Sequence, residues 1–282
     1  MAEISSYNNK PFSEIQKGKR GRTIAYTNIS DPKDITRENI VQIIDSTSGI
    51  FEENKTSIQY LWNYLHGDQP ILYKKKDIRP EINSKIEVNR AEEIVKFKNG
   101  QTYGEPIQYV SRSKEEATVK KVDTLNNYLL DAGKHEKDIT HGEWQSAVGT
   151  SFLAVQMKDD EIPFNIVVPT PLDTYIIYSK LTQEPMIAVQ ELEDDKGKYK
   201  VAYTKGMQYV IRDSVVELSQ VHTFEDIPII EYPNNAERIS DIEIVIDLLD
   251  AINETASDRA DGVKQFVQSL MAAPLWKYFA TP

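Results

Sequence analysis

Cysteine is absent from the 282 residues, which excludes disulfides and thiolate chemistry and fits a reducing compartment. No apolar run approaches the roughly 18 residues a membrane-spanning helix needs. The first residues, MAEISS, carry no apolar stretch of the kind that marks a secretory signal. Histidine occurs only four times, and His135 and His141 are six apart, not at the i, i+4 spacing that puts two imidazoles on one helical face. No phosphate loop of the form GxxxxGK[ST] and no GxSxG elbow is present. Positive charge is in deficit: 33 Lys and Arg face 44 Asp and Glu, a formal net charge of −11. Sequence-reading nucleic-acid binders usually carry a basic footprint, so this balance argues against one, though not against a protein that DNA slides past.

What is present is enough for a core, with 40% apolar residues. Residues 1–30 read as a mobile, solvated arm. Its basic cluster, Lys17, Lys19, Arg20 and Arg22, is either solvated or a phosphate- or partner-contacting tail. A helix is expected on Ile40, Val41, Ile43 and Ile44, then a second from about 50 to 65, with the STSG stretch at 46–49 as the break. Lys74, Lys75 and Lys76 read as a solvated face, and 86–89 alternates like a short strand. Asn89 caps a third helix, and two more follow over about 115–132 and 136–149. Short apolar runs with turn signals between them then predict an antiparallel meander from 152 to 218, with a further strand at 227–230. Helices preceding a sheet make the fold class α+β.

The last section predicts one long helix. Ser240 and Glu243 form a capping box, and nothing but Gly262 interrupts the pattern to about 271. At about 1.5 Å per residue, ~30 residues reach roughly 45 Å. Val245, Leu248, Leu249, Ile252, Ala256, Ala260, Val263, Val267 and Leu270 recur at helical spacing. Asp247, Asp250, Glu254, Asp258 and Asp261 lie on the other faces, as a solvated surface or as a wall toward a polyanion. So long a helix spans between domains or packs on copies of itself. Acid pairs at the turns leave a carboxylate-dependent metal enzyme as a minor alternative, and no metal or cofactor is expected.

Four stretches then resemble one family. They are YLWNYLHGDQPIL at 60–72, NRAEEIVKF at 89–97 with YGEPI at 103–107, LNNYLLDAG at 125–133 with GTSFLAV at 149–155, and DIPIIEYPNNAERISDIE at 226–243. Together with the helix that follows, they resemble the portal proteins of tailed bacteriophages, in the branch of siphophages of Gram-positive hosts. The resemblance implies a non-enzymatic ring of about twelve subunits at a capsid vertex of the virion, the head–tail connector through which DNA is packaged and ejected. It implies a flexible arm over 1–30, a wing-like α+β domain over 31–238 and a stem-like helix over 239–271. The segment 272–282 would begin a clip region, and the chain would lack clip, tunnel loop and crown. Implied partners are copies of itself, terminase and head-completion proteins, scaffolding or major capsid protein, and double-stranded DNA passing without sequence specificity, with no membrane. Asp247, Asp250, Glu254, Asp258 and Asp261 become candidates for facing the channel. Val245, Leu249, Ile252, Ala256, Val263 and Val267 become candidates for subunit packing. The alternative is a prophage-derived portal remnant acting only as an interaction protein.

Overall fold

In a computed structural model, residues 8–16, 19–77 and 79–279 are described, with side chains only as far as 269. Lys17 and the side chains of the expected clip start at 272–282 therefore lie outside the described residues. The order is α1 (Phe12–Gln16), β1 (Ala25–Thr27), α2 (Ile40–Leu65), α3 (Arg90–Tyr103), α4 (Glu116–Asp131), α5 (Lys134–Val148), eight strands, then α6. The strands are β2 (Thr150–Met157), β3 (Phe164–Val167), β4 (Thr174–Ser179), β5 (Pro185–Asp194), β6 (Gly197–Tyr203), β7 (Met207–Arg212), β8 (Val215–Val221) and β9 (Ile229–Pro233). α6 runs Ile246–Phe279. The molecule is α+β, as expected.

α2 is a single helix of 26 residues where two were expected. The residues read as a break are satisfied inside it: the hydroxyls of Ser46, Thr47 and Ser48 donate back to the carbonyls of Ile43, Ile44 and Asp45. Gly49 is exposed, and a methyl there would meet nothing within 4 Å. α2 can therefore run unbroken through two cores. Its first half (Ile40, Ile43, Ile44, Phe51) packs on one face of a sheet. Its second half (Ile58, Tyr60, Leu61, Tyr64, Leu65) packs with α1, α3, α5 and the base of α6. Trp62 stacks on Trp144 of α5.

The strands divide into two sheets. β4 to β8 form the expected meander, with β1 added parallel to β4 at its edge. β2 and β3 instead pair with β9 in a separate three-stranded sheet. Side-chain alternation joins the layers: Ile177, Ile187 and Val189 face α2, while Ile176 and Ala188 face Phe152, Ala154 and Ile229 of the second sheet. The described part of the first thirty residues lies against this body. Phe12 is buried on Tyr60, and the Asn54 side chain accepts from the Thr23 N–H and donates to its carbonyl.

The glycines give a test of opposite signs. Gly149 closes α5 at φ 87°, and a Cβ would sit 2.0 Å from the Arg238 carbonyl oxygen. Gly149→Ala is expected to lower stability by more than about 1 kcal/mol. Gly49→Ala, in open space mid-helix, is expected to raise it by about 0.5–1 kcal/mol. Thermal and urea unfolding of both variants checks this, and equal shifts of one sign would contradict the packing described.

Candidate functional site

The segment between β9 and α6 turns through a cluster of polar side chains. The Glu231 carboxylate accepts from Arg238 Nε at 2.6 Å and Nη2 at 2.9 Å, from Thr150 at 2.8 Å and from Tyr178 at 2.6 Å. Burial pushes this carboxyl up, but Arg238 and the two hydroxyls outweigh burial and hold it below its ordinary value. Arg238 takes a left-handed φ of 57°, sparsely populated for such a residue, with Gly149 packed against its carbonyl. The Asn235 side chain both accepts from and donates to the backbone of Ile239. Asn234 donates to the Ile239 carbonyl, and Asp241 accepts from Ser146 and Lys98.

The capping box is present in modified form. Glu243 accepts the Ser240 N–H at 2.8 Å, as the pattern predicts. The Ser240 hydroxyl accepts from the Ile242 N–H and donates to the Ala147 carbonyl. The regular helix starts at Ile246, because residues 242–245 form a tighter turn with i to i+3 bonds first. Fully buried Glu243 also accepts from the Gly21 N–H and pairs with Arg22, so the N-terminal segment is tied to the foot of α6.

α6 then presents three faces. The first is held by its own chain: Ile246 and Leu249 sit in the core. Beyond them, the helix side chains take up an extended segment of the 69–89 connection. The N–H groups of Val88, Ile86 and Ser84 donate to Asn253 at 2.8 Å, Ser257 at 2.9 Å and Asp261 at 2.7 Å. Two residues of extended chain advance about as far as four of helix, which is why these rungs stay in register. The alternation at 86–89 thus has a physical cause, but its partner is a helix and no strand forms there.

The second face is acidic. Asp247 meets Arg20 at 3.4 Å on the surface. Glu254 and Asp258 meet Lys74 at 2.9 and 3.3 Å. Asp261 is nearly buried and pairs with Lys76. Lys76 and Ser84 hold the Asp261 carboxyl below its usual range. Lys74 and Lys76 therefore lie on α6; they are not a merely solvated face. Two lysines two positions apart, in a chain whose later helix is rich in acids, were the available signal. Asp250, half-buried, accepts from the Tyr64 hydroxyl at 2.9 Å.

The third face is apolar and uncovered. Leu248, Val263, Phe266 and Val267 are exposed, while Ile252 and Ala256 are half-exposed between them. The expected packing stripe is thus divided: Leu249 and the half-buried Val245 belong to the protomer's own core, and the rest stand free. Among the described residues, no cluster of His, Asp or Glu is arranged to hold a metal ion, and no helix is long and apolar enough to cross a membrane.

A profile of the family described as phage portal protein, SPP1 Gp6-like, matches residues 45–273, from α2 through both sheets into α6. Comparison with curated proteins found no match.

Burial raises the Asp250 carboxyl to about 6, against the Tyr64 hydrogen bond. A carboxyl raised in the folded state stabilises the fold while protonated, and that contribution is lost as pH rises through the folded value. Asp250→Asn keeps an acceptor for Tyr64 without the charge. It is expected to melt higher than the parent at about pH 7.5, with the gap closing near about pH 4.5. A gap independent of pH would show that burial of this charge is not what the fold bears.

Proposed function

We propose, for a chain that belongs to the phage portal protein family of the SPP1 Gp6-like type, that it acts as a ring subunit at the capsid vertex through which DNA is packaged and ejected. The family is structural, and its portal function is the premise; the ring, its place and its surfaces are the proposal. The observation that carries it is the continuous match over residues 45–273, which takes in the body and the long helix together. The apolar face of α6 supports it. Leu248, Ile252, Ala256, Val263 and Val267 form a stripe left open among the described residues, which can serve as one half of a heterologous contact between neighbours.

In this reading the sheets and α1 to α5 form the wing and α6 is a stem helix. Asp247, Glu254 and Asp258, on the exposed acidic edge, face the passage and deny phosphates the sticky contacts that Lys and Arg would give. Asp250 and Asp261 are engaged within the protomer and hold the helix in place. Terminase, head-completion, scaffolding and capsid proteins are the partners such a ring would meet.

Light scattering on a sizing column, with negative-stain images, tests the assembly. Rings of about twelve copies are the expected result. A monomer at all concentrations would contradict the proposal that this chain assembles through α6.

A further inference from the structure

We infer that Gly262 is a hinge in α6, and that Ser84 closes a clamp across it. Support for the helix ends at this residue. Asp261 is the last buried side chain, and every described side chain from 263 to 269 is exposed. Among the described residues the final bond back to the body comes from Lys264, and α6 continues for roughly 22 Å beyond it at about 1.5 Å per residue.

A glycine inside a helix costs about 1 kcal/mol relative to alanine. Packing within the protomer does not require one here, because a Cβ at Gly262 would meet nothing within 4 Å. Gly49 and Gly100 also have open space, but Gly49 lies between buried stretches of α2 and Gly100 one turn from the end of α3. Gly262 alone of these three coincides with the edge of support.

The clamp straddles the glycine. The Ser84 N–H donates to Asp261 Oδ1 at 2.7 Å, on the residue before it. The Ser84 hydroxyl accepts from Lys264 Nζ at 2.7 Å, two residues after it. Lys76 adds an ion pair to Asp261. With the clamp closed, the helix is braced across its weakest point. With it open, the projecting part tilts about Gly262 while Asn253 and Ser257 still hold the lower rungs. Resting on the portal reading, this lets the far end of each stem helix adjust without moving the wing.

The absence of cysteine makes the test direct. Spin labels at Gln101→Cys and Gln268→Cys, both exposed positions, report the distance from α3 to the projecting helix. Labelled chain is diluted with unlabelled chain, so that distances within one copy are read. The parent is expected to give a narrow distribution, and Lys76→Met with Lys264→Met a broad one. Adding Gly262→Ala to that pair should narrow it again. In the parent background, Gly262→Ala should slow amide exchange around 262–266 about fivefold. Distributions that ignore the clamp, or breadth that survives Gly262→Ala, would overturn the hinge. Loss of assembly in Gly262→Ala with unchanged distances would show that the glycine admits a neighbouring helix instead. The distance readout holds in a monomer too, so failure of the ring and failure of the hinge are distinguishable.

Discussion

The structure depends on a set of buried charges at one turn of the chain. Glu231 with Arg238, and Glu243 with Arg22, join β9, the end of α5, the N-terminal segment and the foot of α6. Each pair is shielded from water, and removing one partner of such a pair typically costs about 3–5 kcal/mol, because the other charge stays buried. Buried ion pairs are weak sources of net stability. Here their effect is directional. A long helix anchored only by apolar contacts at its base could swing, whereas the hydrogen bonds of Glu243 with the Gly21 and Ser240 N–H groups and its ion pair with Arg22 fix where it starts. The left-handed backbone of Arg238 is flanked by its ion pair with Glu231 and by Gly149 against its carbonyl.

From that foot, the three faces of α6 follow. The inner face is consumed by the protomer, first through Ile246 and Leu249 and then through the rungs to Ser84, Ile86 and Val88. The acidic edge is partly neutralised by Lys74 and Lys76, so its potential is weaker than its sequence suggests. The outer face is left apolar over Leu248 to Val267, and nothing among the described residues covers it. An exposed stripe of this kind marks a protein–protein contact. Anchor, rungs and stripe together leave one apolar face of the helix open, the face proposed to meet a neighbour.

Much of this was legible in the sequence. The strands from 150 to 233 showed as short apolar runs between turn residues, and α3, α4 and α5 by their spacing and, for α3, by the Asn89 cap. The capping box located the foot of α6 to within a few residues. Partition of the strands into two sheets was not legible, because local alternation does not say which strand pairs with which. The unbroken α2 was missed because Ser and Thr, usually turn formers, bond back to their own helix. The apolar stripe showed by periodicity. Its division between Leu249 inside and Val263 outside depends on where the 69–89 connection lies, a long-range fact. The same is true of the lysines that reach the acids.

We propose that the 231–243 turn fixes α6 so that its apolar stripe meets a second copy and its acidic edge faces a passage. A three-dimensional reconstruction of the assembled particle by electron cryomicroscopy tests it most directly. The expected result is neighbouring α6 helices in contact through Leu248, Ile252, Val263 and Val267, with Asp247, Glu254 and Asp258 toward the bore. An assembly whose contacts leave that stripe in solvent, or point the acidic edge away from the central space, would contradict it.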